Sequence, residues 1–214
     1  MKRVLVTGGT VRIGKAISAA LRVRGWTVVT SSHRPDAGAD VVADLSEPLG
    51  AAKLYVAACA KAGGSLDAIV NNAALFTGED SVLEAVNLEV PKKLTMMLAG
   101  KEDGCGAVVN IVDLKSYDNV YGRTKSALVE FTRKAAGLFA ATLRVNAVAP
   151  GPVLAPVGVH EPAGDMLLDR RPTAEDVAAA VAYLLEAESV TGVILPVDSG
   201  QHLISGIPSQ VSRP

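Results

Sequence analysis

Short apolar runs alternate with longer segments of helical period along almost the whole chain, and this alternation restricts the fold more than any single motif. Runs of strand length stand at Arg3–Thr7, Thr27–Ser31, Val41–Ala43, Ala68–Asn71, Ala107–Val112, Arg144–Ala147 and Gly192–Val197. They are rich in Val, Ile and Leu with few polar interruptions, as in strands covered by helices on both faces. Between them the period changes to that of helices, over Ile13–Arg24, Leu49–Ala62, Ser81–Ala99, Val120–Ala140 and Thr173–Glu186. Gly25 follows the first of these where a C-terminal glycine belongs, and Thr173 precedes Asp176 by three residues as an N-terminal signal. Strand–helix units repeated in this way require crossover connections, so the reading is α/β, a doubly wound parallel sheet of about seven strands flanked by helices.

With 214 residues the chain fits one domain, 1–214, and no repeat or interdomain linker divides it. Two stretches carry neither pattern: 150–171, rich in Pro and Gly and read as a substrate loop, and the tail 201–214. The loops beyond the carboxyl ends of parallel strands form the ligand crevice of such a sheet. A formal charge of −1 gives no footprint for nucleic acid or a membrane surface. Cys59 and Cys105 fall outside any metal-binding spacing, so no metal site is expected. Met1-Lys2-Arg3 runs straight into a strand without the apolar stretch of a signal peptide or membrane span, so the expected location is cytoplasmic.

The first strand leads into Thr7-Gly8-Gly9-Thr10-Val11-Arg12-Ile13-Gly14 and then a helix. Glycines serve where backbone turns sharply or approaches phosphate, and a helix N-terminus offers free N–H groups and a positive dipole end. Gly8, Thr10, Arg12, Ile13 and Gly14 are therefore read as a pyrophosphate cradle. Arg12 occupies a position where dinucleotide loops commonly carry glycine. At the end of the second strand stands Ser32-His33-Arg34, with no immediate acidic residue. A carboxylate there suits the ribose hydroxyls of NAD, whereas a 2′-phosphate calls for arginine. Arg12 and Arg34, with His33 beside the adenine, thus point to NADP(H); Asp36 lies past Pro35 and is read as facing solvent. Asp44-Leu45 falls where adenine contacts are expected, and Asn72-Ala73, closing the fourth strand, are read as cofactor-binding.

Tyr121-Gly122-Arg123-Thr124-Lys125 puts a phenol and an ammonium on one helix face. A free tyrosine, with a pKa of about 10, is a poor acid–base group at neutral pH. A neighbouring cation favours the phenolate and brings the proton within reach of a substrate atom.

With TGGTVRIG (7–14), NNA (71–73), VNIVD (109–113), YGRTK (121–125), RVNAVAPGPV (144–153) and VDSG (197–200), the chain resembles the short-chain dehydrogenase/reductases over nearly its whole length. The resemblance implies a Rossmann-type domain, with Tyr121 as acid–base residue and Lys125 as the group that lowers its pKa and bonds the nicotinamide ribose. It places Pro150, Gly151 and Val153 beside the nicotinamide, and it implies a homodimer or homotetramer. It also makes Asn87 the residue whose main-chain carbonyl holds a proton-relay water. Physical reasoning agrees: in continuous helix that carbonyl accepts from residue 91, which is Pro and has no N–H.

The family usually carries a serine after its fifth strand, but the matching position here reads Val112-Asp113. A carboxylate repels a developing oxyanion and suits a substrate rich in N–H donors. Arg12, His33-Arg34 and Phe76, which follows NNA where pteridine reductases sandwich the pterin, all resemble that subgroup. The intervening loop is short, with seven residues between Asp113 and Tyr121, and Ser116 is a rival for the serine role. The reading is NADPH-dependent hydride transfer to a C=N or C=O bond of a small molecule, foremost a dihydropterin. Two alternatives stay open: a carbonyl reductase for an acyl thioester, sugar or small ketone, and a non-catalytic NADP(H)-binding sensor.

Overall fold

The computed structural model describes residues 2–101, 106–114, 118–153 and 166–204. Cys105, Ser116, most of the 150–171 segment and most of the C-terminal tail lie outside the described residues.

Seven parallel strands form one sheet: β1 (Arg3–Thr7), β2 (Thr27–Ser32), β3 (Val41–Val42), β4 (Ala68–Asn71), β5 (Gly106–Ile111), β6 (Leu143–Pro150) and β7 (Ile194–Val197). Their order is β3-β2-β1-β4-β5-β6-β7, so the winding reverses between β1 and β4. All six pairings are parallel. Ligands bind outside the carboxyl ends of strands at such a reversal.

The helices are α1 (Arg12–Val23), α2 (Gly50–Lys61), α3 (Asp80–Glu84), α4 (Val90–Ala99), α5 (Val120–Leu138), α6 (Ala174–Glu186) and the short α7 (Gln201–Ile204). Alternate side chains of each strand point to opposite faces. Val4, Val6, Val70 and Val109 meet α1 and α6 in one core. Leu5, Ile69, Val108 and Val145 meet α2, α4 and α5 in the other. The strands are therefore apolar almost throughout, and β1, β4 and β5 sit where both cores are deepest.

The predicted ends hold where a specific residue enforces them. Gly25 takes φ +82° after α1, a left-handed conformation that glycine adopts without a Cβ penalty. Thr173 and Asp176 form a reciprocal capping box at the start of α6. Most other ends shift by one or two residues, the seventh strand starting at Ile194 and the fifth helix ending at Leu138, and three differences have a specific cause. The third strand ends at Val42, one residue early, because Asp44 turns the chain by bonding Ser46. The sixth runs on to Pro150, as far as its pairing with β7 extends. The single helix drawn over Ser81–Ala99 is three pieces, α3 and α4 joined by a π-helical turn over Ala85–Glu89. Pro91, which cannot donate to the Asn87 carbonyl, explains why regular α-helix fails there.

Candidate active site

At the winding reversal lies a cleft of about 900 Å³, a size within the range of small-molecule and cofactor sites. Its described walls include Gly8, Thr10, Arg12, Ile13, Gly14, His33, Arg34, Asp44, Leu45, Asn72, Ala73, Phe76 and Tyr121. Thirteen positions singled out in the sequence thus converge on one cavity. Ser31, Ser32, Leu75, Val82, Val86 and Ile111 also line it and were not anticipated; their only signal was a place at a strand end or on an inward helix face.

The glycine loop is shaped by contact. A Cβ on Gly14 would lie 2.1 Å from the Gly8 carbonyl oxygen, so α1 can start against the loop only with glycine there. Arg12 has φ +49°, the left-handed conformation expected of the glycine it replaces, at a cost of about 1–2 kcal/mol. An arginine kept at that expense suggests a role for its side chain. Asn72 ties the loop to β4: its Nδ2 donates to the Thr7 and Gly8 carbonyls at 2.9 and 3.1 Å. The N–H groups of Asn72 and Ala73 both donate to Thr7 Oγ1 at 3.0 Å. Asn72, expected beside the cofactor, is therefore also a cross-link between two strand ends.

His33 and Arg34 are exposed at the rim, and Asp36 also faces solvent. Asp44 accepts from the hydroxyl and the N–H of Ser46, at 2.6 and 2.8 Å, and these bonds hold its carboxyl below the usual aspartate range. His33 adds a smaller effect in the same direction.

At the other end of the cleft, Asn119 caps α5 by accepting from the Gly122 N–H. Tyr121 thereby stands in the first turn, with its hydroxyl 3.2 Å from Asp113 Oδ2. The short loop does bring these two residues together. The Phe76 ring lies 4.7 Å from the Tyr121 ring, tilted by 59°, and is 53% exposed to the cleft side. Lys125 is buried, donates to the Ile111 carbonyl at 2.9 Å and places its ammonium 5.7 Å from the Tyr121 ring centroid. Burial pulls its pKa down to about 8, although Asp113 opposes the shift.

Asn87 is also buried, and its side chain bonds both the N–H and the carbonyl of Leu75, each at 2.8 Å. The π turn is thereby fastened to the loop that presents Phe76. Asn87 and Lys125 are buried behind the cleft wall, whereas Asp113 is half-buried and reaches the cleft through its bond with the Tyr121 hydroxyl. Pro150, Gly151 and Val153 also fall outside that wall; Gly151 abuts Asp198, and a Cβ on it would meet the Asp198 Cα at 2.6 Å. Where the chain returns at Leu167 and Leu168, both N–H groups donate to the Ser199 carbonyl.

Among the described residues no cluster of potential ligands could hold a metal ion, and no helix is long and apolar enough to cross a membrane.

A parallel sheet with a glycine cradle at its reversal and a Tyr–Lys pair after β5 defines a dinucleotide-dependent oxidoreductase architecture. The chain belongs to the short-chain dehydrogenase/reductase family. A family model described as enoyl-(acyl carrier protein) reductase matches residues 10–202. The uncharacterized oxidoreductase YmfI of Bacillus subtilis is 31% identical, over 94% of this chain and 99% of that protein. A granaticin polyketide synthase putative ketoacyl reductase of Streptomyces violaceoruber is also 31% identical, over 94% and 96%. Among solved structures, the alternative dihydrofolate reductase FolM of Brucella canis, complexed with NADP, superposes with a TM-score of 0.85 at 31% identity, covering 99% of this chain and 98% of that one.

Proposed function

We propose that this chain is an NADPH-dependent reductase whose substrate is a dihydropterin or related pteridine. The observation that carries the reading is the hydrogen bond to Asp113 made by Tyr121, which lines the same cleft as the half-exposed Phe76 ring and packs against it.

The residues fit the cofactor. Gly8 and Gly14 leave room for close approach of a pyrophosphate, and the start of α1 supplies N–H donors. Arg12, His33 and Arg34 offer positive charge and donors to a 2′-phosphate, with no carboxylate at the end of β2. The NADP complex of the similar Brucella protein supports this assignment.

NADPH, when bound, would supply the hydride. Tyr121 delivers the proton to the substrate nitrogen or oxygen. Asp113 accepts the Tyr121 hydrogen bond, which orients the hydroxyl. A carboxylate at that place accepts bonds from the N–H and NH2 groups of a pteridine edge, and it repels a ketone oxyanion. Lys125 would hold the nicotinamide ribose, and its ammonium supplies positive charge 5.7 Å from the centre of the Tyr121 ring. Phe76 stacks on the flat heterocycle, worth about 0.5–1.5 kcal/mol beyond burial.

The rival with support of its own is reduction of an acyl thioester or small ketone, favoured by the similarity to the granaticin ketoacyl reductase. NADPH oxidation by the wild type and Asp113→Ser, with a dihydropterin and with an acetoacetyl thioester, separates the two. The proposal expects the variant to lose pterin turnover by about 10²-fold or more and to keep or gain ketone turnover. Unchanged pterin turnover in the variant, or a wild type that prefers the thioester, overturns it.

A further inference from the structure

Residues 33–40 join β2 to β3 at the rim of the cleft, and His33 and Arg34 line it. This hoop has fixings of its own. The Arg34 N–H donates to Ser32 Oγ at 3.1 Å, and the Arg34 carbonyl accepts from the Ala37 N–H across a short 3-10 turn over Pro35–Ala37. Pro35 fixes φ directly after Arg34, and Gly38, at φ +64°, turns the chain back toward the sheet.

Where the chain returns, Asp40 closes the hoop on Thr30. Its Oδ2 accepts from both the N–H and the hydroxyl of Thr30, at 2.8 and 2.7 Å. The Asp40 N–H donates to the Thr30 hydroxyl oxygen at 3.2 Å. β2 and β3 pair only from Ser31 and Val41 onward, so Thr30 stands one residue short of the ladder. The carboxylate gives its N–H the acceptor that a longer β3 would have provided. Among the described residues no ion pair involves Asp40, so its carboxylate is committed to Thr30 and not to Arg34.

Thr30 is buried and also touches the glycine loop. A Cβ on Gly9 would meet Thr30 Cγ2 at 2.9 Å, and the Gly9 N–H donates to the carbonyl of Ser31, the next residue, at 3.2 Å. The clasp therefore ties the hoop that carries Arg34 to the loop that carries Gly8, Arg12 and Gly14. In NADP(H) one ribose separates the pyrophosphate from the 2′-phosphate, so the donors for the two groups must keep one spacing. Donors already held at that spacing lose less freedom on binding.

We infer that Asp40, through its clasp on Thr30, is a positioning residue for Arg34 and so helps to set the preference for the phosphorylated coenzyme. This inference rests on the reading of Arg34 as a partner of the 2′-phosphate. Charge alone would act in the opposite sense. An acid in the segment that meets the phosphate repels it, and removing the acid would tighten NADPH binding. Removing a clasp weakens it.

Dissociation constants for NADPH and NADH, followed by nicotinamide fluorescence without substrate, test the inference. Asp40→Ala should weaken NADPH binding by about 3- to 10-fold and leave NADH binding nearly unchanged. Asp40→Asn keeps an acceptor oxygen for the Thr30 N–H and should recover most of the loss. Thr30→Val keeps the N–H and loses the hydroxyl. It should lose NADPH affinity selectively but by less, and it carries the test where Asp40→Ala does not fold. In an Arg34→Ala background Asp40→Ala should add almost nothing, because a residue that acts through the guanidinium has no effect once it is gone. Tighter NADPH binding by the Asp40 variants overturns the inference in favour of charge repulsion. Equal weakening of NADPH and NADH overturns it as a general loss of structure, and so does an additive effect in the Arg34→Ala background. If Arg34→Ala alone keeps the NADPH preference, the reading of Arg34 fails and takes the inference with it. If Arg34→Ala loses the preference and Asp40→Ala keeps it, only the inference falls.

Discussion

The two ends of the cleft bind by opposite strategies. At the cofactor end, Arg12, His33 and Arg34 stand at an exposed rim. They need only be near a charge, and water screens what they do. At the catalytic end, Lys125, Asn87 and Asn71 are buried, and each is committed to short, directed hydrogen bonds. Exposed charge confers affinity in small increments and tolerates change. Buried polar groups set chemistry and fail sharply when a partner is lost. Substitutions at the catalytic end should therefore change rates or stability by large factors, and those at the rim should change selectivity by modest ones.

Tyr121→Phe should have the largest effect. It removes the proton donor and the bond to Asp113 while leaving the ring against Phe76. Single-turnover reduction should slow by about 10²–10⁴-fold with NADPH affinity nearly unchanged. Equal loss of rate and affinity would make the residue structural and erase the contrast between the two ends.

Gly14→Ala carries the contrast into the cofactor end, where one position behaves like the buried group. The added Cβ would fall 2.1 Å from the Gly8 carbonyl oxygen, so the loop or α1 must move. Overpacking of this sort costs about 1–3 kcal/mol, and both melting temperature and NADPH binding should drop. A variant that binds NADPH normally would mean the cradle is looser than its contacts indicate.

Lys125→Met probes the cost of burying the ammonium. The lysine titrates near 10.5 in the unfolded chain and near 8 in the fold. Between those values the unfolded state binds more protons, so this residue makes stability rise with pH across that window. The shift corresponds to about 3 kcal/mol in all. Unfolding of wild type and variant in denaturant at pH 7 and pH 10 should show the variant gaining relative stability at pH 7 and losing that advantage by pH 10. A pH-independent difference would place the ammonium in solvent.

The cofactor end was legible in the sequence because its signals are local. Thr7–Gly14 announces itself by glycine spacing between a strand and a helix, and Arg12 stands out in a slot whose left-handed backbone the structure then displays. Tyr121 and Lys125 were legible for the same reason, four residues apart on one helix. What stayed hidden depends on contacts across the sheet. Asn71 and Asn110 are 39 residues apart and read as ordinary strand residues until the register pairs them. The Asn87 amide clamped on Leu75 was equally invisible, although Pro91, one helical turn further on, had already marked the neighbouring carbonyl. The π turn lay between these cases: proline forbade regular helix, but only packing against α5 could select which irregularity replaced it.

At the rim, Arg34→Ala should leave the fold untouched and lower the NADPH-over-NADH preference in kcat/KM. One charge-assisted contact to a phosphate contributes about 1.5–3 kcal/mol, so a loss near 10- to 100-fold is expected, smaller in high salt. Turnover at saturating NADPH should be unchanged. If the preference survives, Arg12 alone carries it, and Arg12→Ala would then show the full effect.

Phe76→Ala should be the gentlest of the set and the most informative about substrate. The ring is half-exposed and packs on Tyr121 from the open side of the cleft, so the fold has little to lose from its removal. If a flat heterocycle stacks there, KM for a dihydropterin should rise by about 3- to 10-fold, with little change for a small aliphatic ketone, which has no face to stack. Equal changes for both substrates would mean that Phe76 serves to hold Tyr121 in place. The aromatic contact would then belong with the buried, committed groups behind the wall, and the boundary between the two strategies would have to be redrawn one residue closer to solvent.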